Sequence, residues 1–371
     1  MTTTAIEHKE HFHGSDLEKI EKVYGIKKED IISFSANVNP LGLSEHLRQK
    51  LAKKLDAITT YPDREYTKLR QTIATYCNTD YQNIVVGNGS TELISLMIQL
   101  RAPKEALIVA PTYSEYEREV SLQGGQVSYF PLCEKDDFRL DTDSLLAQIT
   151  SDINLLVLCN PNNPTSSAIF TTDMEKIAKH CKQTNTLVMV DETYIEFAEN
   201  YEEIASIPLT KHYDNLVILR GISKFFAAPG LRLGYAITGS KELISHVNEK
   251  KNPWTINSLA EVAGTLMFTD AEYIRATKEL IATERKRICD KLATIPGLKV
   301  YPPSANFVLV KIEKATVNAD ILFEAAIQKC MMIRNCASFA YLDESYFRFC
   351  FMQPSDNDTL LSCIEEVMMH A

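Results

Sequence analysis

No apolar run in the 371 residues reaches the roughly 20 needed to cross a bilayer. The opening segment, MTTTAIEHKEHFHG, also lacks the apolar stretch of a secretory signal, so a cytoplasmic protein with no membrane partner is expected. There is no Cys-x-x-Cys pair. The nine cysteines (Cys77, Cys133, Cys159, Cys181, Cys289, Cys330, Cys336, Cys350 and Cys363) are odd in number and scattered, a pattern that speaks for reduced thiols over a zinc site or a redox pair. A Lys/Arg cluster is missing too. With 49 acidic against 39 basic side chains the net charge is −10, which argues against a nucleic-acid surface and leaves any anion to a few placed residues. Repeats and low-complexity tracts are absent, and 45% apolar with 24% charged residues excludes a disordered or collagen-like chain. His8, His11 and His13 have no Cys or carboxylate partners at ligand spacing, so no metal is expected, and a solvated terminus accounts for His8 and His11.

What the chain does contain, from residue 83 to 239, is one recurring pattern: a short Leu-rich or β-branched run ending in polar or glycine residues, usually followed by helical periodicity. The runs are NIVVGN (83–88), ALIVAP (106–111), QVSYFPL (126–132), NLLVLCN (154–160), TLVMVDE (186–192), NLVILRG (215–221) and LGYAITG (233–239). Strands covered on both faces read this way, so an α/β fold with a mostly parallel sheet of about seven strands is predicted. After residue 258 the pattern changes to long helical stretches, then the strand KVYPPSANFVLVKI, the helix ADILFEAAIQKC, the strand YFRFCF and a last helix. The predicted organisation is a segment 1–59 packing on the small domain and the domain seam, a large domain 60–257, and a small α+β domain 258–371 to which both termini contribute.

In an open α/β sheet the ligand crevice lies beyond the C-terminal strand ends. The first run passes into Gly87-Asn88-Gly89-Ser90-Thr91-Glu92 and then a helix, which aims backbone N–H groups at an anion; a glycine turn with a Ser/Thr cap is the equal alternative. The run 154–160 ends in Asn160-Pro161-Asn162-Asn163-Pro164-Thr165, whose prolines would present asparagines toward the crevice. Asp191 follows four apolar residues and needs a cationic partner, without which it would be costly to keep ionised. Lys224 sits between an apolar strand and FFAAPG, a placement that suits a covalent role. An anion site, an Asp, an Asn, a Tyr and a Lys at adjacent strand ends are what pyridoxal phosphate chemistry requires.

The order GNGSTE, P-x-Y-x-E-Y, NPNNPT, DETYIEF, Ser-Lys with GLRLGY eight residues on, and a late Arg in FRF resembles the fold-type I, aspartate-aminotransferase-like enzymes across essentially the whole chain. The resemblance implies that Lys224 holds the aldehyde of pyridoxal 5'-phosphate covalently, that Asp191 pairs with its ring nitrogen, and that Asn163 and Tyr194 bind the ring 3-oxygen. It further implies Gly89, Ser90, Thr91, Ser223 and Arg232 around the phosphate, Tyr113 stacked on the ring, and Tyr61 of YPD reaching the phosphate of a neighbouring subunit, hence a homodimer. Arg348 would take a substrate carboxylate as a bidentate pair.

YPD, NPNNPT and DETYIEF are similar to histidinol-phosphate aminotransferases. His13-Gly14, FSANVNPLG (34–42), PWTINSLA (253–260) and IRNCASFAYLDESYFRFC (333–350) are similar to the threonine-phosphate decarboxylases of cobalamin synthesis. The second set implies a small phosphorylated amino acid as substrate, in a pocket lined by His13, Asn37 and Arg334. Three positions depart from the decarboxylase pattern: Ser15 for a second Gly, Tyr194 for Phe, and Ser166 for Gly. Plainer readings also exist. Trp254 would be a core aromatic, Arg334 a helix C-terminal cation, and Cys336 a packed small residue. A nicotinamide enzyme is disfavoured because GNGSTE lacks the third glycine of G-x-G-x-x-G, and a non-enzymatic relative because Lys224 and Asp191 are both present.

Overall fold

The computed structural model describes Phe12, Gly14 and residues 16–370. All seven runs form strands of one sheet: β1 (Ile84–Asn88), β2 (Glu105–Ala110), β3 (Gln126–Pro131), β4 (Leu155–Cys159), β5 (Leu187–Asp191), β6 (Leu216–Gly221) and β7 (Leu233–Thr238). Their spatial order is β1-β7-β6-β5-β4-β2-β3, and β4, β5, β6 and β7 contain only buried residues apart from Leu187. That burial explains their unbroken apolar character, since neither face meets water.

Only β7 runs against its neighbours, antiparallel to β1 and to β6. Its reversal brings its first residue, not its last, to the edge where β1, β4, β5 and β6 end, with Leu233 opposite Asn88 and Gly234 opposite Gly221. Arg232 therefore lies at the ligand edge. β1 is one of the two edge strands of the sheet, and the Lys251 ammonium donates to the Val86 carbonyl at 3.2 Å, one way to blunt an open strand edge.

The chain divides into two compact units. The larger spans Val38–Thr283 with Pro302–Asn306; the smaller takes the residues up to Asn37, Glu284–Tyr301, and those from Phe307 onward. The boundaries expected from sequence, 59/60 and 257/258, thus fall inside the larger unit. One reason is the helix Ala271–Leu292, which runs without a break through the division. The predicted strand KVYPPSANFVLVKI is two strands, Leu298–Val300 and Phe307–Ile312. Its middle returns to the larger unit, where Ser304 N–H donates to the Ser166 carbonyl at 2.8 Å and Ala305 N–H to Ser166 Oγ at 2.9 Å. Ser166 itself holds φ +60°, a conformation glycine adopts without strain; here the hydroxyl contributes a hydrogen bond that glycine could not.

In the smaller unit an antiparallel sheet orders Arg334–Asn335, Tyr346–Cys350, Phe307–Ile312 and Leu298–Val300. Helices Ala319–Ile327 and Pro354–His370 belong to the same unit. Among the described residues no helix is long and apolar enough to cross a membrane.

Behind the ligand edge Arg220 and Glu192 form an ion pair at 2.7 Å with side chains 1% and 0% exposed. Tyr201 accepts from Arg220 Nη1 at 3.0 Å, and Ser206 N–H donates to Glu192 Oε1 at 2.7 Å. Such a pair offsets its desolvation only while both partners are present. Arg220→Met should lower the unfolding free energy by about 3–5 kcal/mol, read from the urea midpoint, with part regained in Arg220→Met/Glu192→Leu. A loss under about 1 kcal/mol, the size of an exposed pair, would show that the network is dispensable.

Candidate active site

Lys224 is half-buried, three residues past the end of β6. Its backbone is pinned by Asn39, a residue from FSANVNPLG to which the sequence reading gave no role. Asn39 N–H donates to the Lys224 carbonyl at 3.0 Å, and its side-chain amide donates to the Phe225 carbonyl at 2.7 Å. The same amide lies 2.9 Å from the Tyr273 hydroxyl and 2.8 Å from that of Thr277.

Asp191, the last residue of β5, is 6% exposed. Burial raises its pKa, while hydrogen bonds from Thr193 and Tyr116 and the charge of Lys224 act against that rise. Oδ1 accepts the Thr193 N–H at 3.0 Å and the Thr193 hydroxyl at 2.5 Å; Oδ2 accepts the Tyr116 hydroxyl at 2.8 Å. Tyr113 stands edge-on to Tyr116 with ring centroids 5.6 Å apart. The partner demanded by a buried Asp is thus a set of donors as well as a cation. Tyr116 ends the P-x-Y-x-E-Y motif, so the signal was present without its meaning.

At the head of helix Gly89–Arg101 the preceding residue is Asn88, whose side chain makes no cap hydrogen bond, so the Ser/Thr-cap alternative does not hold. Gly89 has φ +78°, and a Cβ there would meet Arg232 Nη2 at 2.3 Å. A Cβ on Gly234 would meet Ser90 N at 2.3 Å. Glycine is therefore required where this helix start rests on β7 beneath an exposed arginine. Ser90, Thr91 and Ser223 are each partly exposed around it. Backbone N–H groups, two hydroxyl types and a guanidinium make a donor set that fits a phosphate dianion.

Two of the asparagines of NPNNPT serve the loop and not the crevice. Asn160 bonds the backbone of Ile169 and Ile204, and Asn162 the Pro111 carbonyl and Thr165. Asn163 is the partly exposed one, and Tyr194 is buried at 6%. Tyr61 is 81% exposed and packs on Trp254 with centroids 4.9 Å apart. Trp254, 42% exposed with the Arg64 guanidinium 5.8 Å from its ring centroid, is not the core aromatic that a lone Trp suggested.

The smaller unit holds the other candidates. Arg334 and Arg348 are 4% exposed each and sit opposite one another in register on adjacent strands. Arg348 Nη2 donates to the Ser35 carbonyl at 2.8 Å. Arg334 donates to the Phe12 carbonyl and, at 2.7 Å, to the Ser338 hydroxyl. Burial, and then the neighbouring charge of Arg348, push Arg334 down to about 10. Arg334 is not a helix-terminal cation, because helix Ala319–Ile327 ends well before it and it lies on a strand. Asn37 is buried with φ +55°. Cys336, 0% exposed with its thiol raised to about 11 by burial, is the packed residue expected. His8, His11, His13 and Ser15 lie outside the described residues.

Comparison with known proteins agrees with this geometry. Residues 29–364 match the family model described as aminotransferase class I and II. The chain is 33% identical over 356 residues to the threonine-phosphate decarboxylase of Salmonella typhimurium, covering 96% of each chain. It is 38% identical over 329 residues to a protein of Caldanaerobacter subterraneus provisionally named a threonine-phosphate decarboxylase, covering 89% of this chain and 88% of that one. The crystal structure of the histidinol-phosphate aminotransferase from Clostridium acetobutylicum superposes with a TM-score of 0.86 at 32% identity, over 91% of this chain and 99% of that one. With its seven-stranded sheet, its lysine and aspartate at adjoining strand ends, and this match over most of its length, the chain belongs to the class I and II aminotransferase family of pyridoxal-phosphate-dependent enzymes.

Proposed function

We propose that this enzyme decarboxylates O-phospho-L-threonine or O-phospho-L-serine to an amino-alcohol phosphate, a step of cobalamin synthesis, acting as a homodimer in the cytoplasm. The observation that carries the reading is the pair of buried arginines in register, Arg334 and Arg348. Two guanidiniums so close and so little hydrated repel each other, and a ligand bearing two separate anions relieves both. A phosphorylated amino acid carries a carboxylate and a phosphate at once. Histidinol phosphate has no carboxylate. The second reading, a histidinol-phosphate aminotransferase, is favoured by Tyr194 and by the similarity to the Clostridium acetobutylicum enzyme.

In this proposal Lys224 holds the cofactor, Asp191 pairs with its ring nitrogen, and Asn163 and Tyr194 bind its 3-oxygen. Gly89, Ser90, Thr91, Ser223 and Arg232 hold its phosphate, Tyr113 covers its face, and Tyr61 would come from the neighbouring subunit. Bound pyridoxal phosphate supplies an electron sink for whichever bond at Cα stands perpendicular to its ring. Arg348 takes the carboxylate. Arg334 and His13 take the substrate phosphate and so fix rotation about Cα, and Asn37 lines the substrate pocket. The free thiol state of all nine cysteines fits a reducing compartment.

Lys224→Ala should abolish the visible absorbance of the purified protein and its fixation by borohydride while leaving the circular dichroism unchanged; a retained chromophore would remove Lys224 from this role. Asp191→Asn should keep the cofactor yet lose roughly a hundredfold in turnover, about 3 kcal/mol in the barrier, because an amide stabilises no positive ring nitrogen. Near-normal rates would dismiss the pairing. With phosphothreonine or phosphoserine the enzyme should release CO₂ without consuming a 2-oxo acid, and Arg334→Ala should impair this far more than cofactor binding. Efficient amino transfer from histidinol phosphate to 2-oxoglutarate, with no CO₂ released, would establish the second reading instead.

A further inference from the structure

The two oxygens of Asp191 are served in different ways. Thr193, two residues on, reaches Oδ1 with its N–H and hydroxyl, a local turn that an Asp followed by Thr forms by itself. Tyr116 reaches Oδ2 from helix Glu115–Leu122, 75 positions away. It is 1% exposed, and burial drives its phenol well above the usual tyrosine range, so it stays protonated and donates. Other groups that interact with the carboxylate are the Lys224 ammonium, the Tyr113 phenol and the buried Cys159 thiol, whose residue is the register partner of Asp191 across β4 and β5. Tyr116 is thus a phenol that tertiary structure hydrogen-bonds to this carboxylate.

We propose that Tyr116 is a positioning residue that acts through Asp191 to keep a proton on the ring nitrogen of the bound cofactor. This rests on the reading that Asp191 pairs with that nitrogen. In the pair one proton lies between a carboxylate oxygen and the nitrogen, and every donor to the carboxylate lowers its affinity for that proton. With the Tyr116 hydrogen bond the proton stays on nitrogen. Without it the proton passes from nitrogen to oxygen, the positive and negative charges vanish together, and a neutral pyridine remains, which is a weaker electron sink. The rival explanation, that Tyr116 merely fills space behind Tyr113, makes its hydroxyl irrelevant.

The test uses holoenzyme reconstituted with pyridoxal phosphate labelled with ¹⁵N in the ring. The wild-type resonance should lie in the pyridinium range, and Tyr116→Phe, which keeps the ring and removes only the hydroxyl, should move it toward neutral pyridine. Turnover should fall about ten- to hundredfold, the range for one hydrogen bond to a charged group. With the analogue that has carbon in place of the ring nitrogen, wild type and Tyr116→Phe should turn over at the same rate. Difluorotyrosine at position 116, a stronger donor of nearly the same shape, should hold the resonance at or beyond the wild-type pyridinium position and keeps the test open if Tyr116→Phe loads poorly. An unmoved ¹⁵N signal in Tyr116→Phe, or an equal loss with the carbon analogue, would overturn the proposal. An unmoved signal in Asp191→Asn would instead overturn the pairing on which it rests.

Discussion

A carboxylate buried at the end of a strand is the constraint around which the larger unit is organised. Asp191 has lost most of its water, and an unassisted carboxylate there would take up a proton. What acts against this is a local turn at Thr193, a phenol from the helix after β2, and the ammonium of Lys224. Each must be held in place, and Asn39 does so for the lysine by bonding the backbone on both sides of the Lys224–Phe225 junction. The ion pair of Glu192 and Arg220, next along the same two strands, carries a second buried carboxylate by the opposite device, a direct guanidinium partner.

The proposed anion site depends on a different constraint, the close approach of backbone to backbone. Because β7 runs against β1 and β6, Gly234 lies beside both Gly87 and Gly221, and the helix beginning at Gly89 settles on that row. Any side chain at Gly234 would displace Ser90, and any at Gly89 would displace the Arg232 guanidinium. The helix start at Gly89 and, more than 130 residues later, Ser223 and Arg232 thus share one edge of the sheet.

In the smaller unit the sheet brings Arg334 and Arg348 into register with little water around either. Burial first, and the neighbouring Arg348 charge second, lower the pKa of Arg334, a cost to folding that carbonyl and hydroxyl acceptors act against.

The seven strands were legible from sequence because strands buried on both faces must be apolar throughout, and the Gly-, Asn- and Lys-rich ends stood out against that background. The residues whose chemistry is intrinsic, Asp191 and Lys224, could be picked out for the same reason. Tyr116, Asn39 and Thr193 could not, since a tyrosine, an asparagine and a threonine carry no periodic or compositional mark of their partners. The solvent exposure of Trp254, the structural duties of Asn160 and Asn162, and the strand position of Arg334 were likewise set by packing. Local sequence determined which elements form and which side chains have chemistry to offer. Tertiary structure alone decided which of them meet, because hydrogen bonds such as that from Tyr116 to Asp191 join residues that only the folded sheet brings within reach.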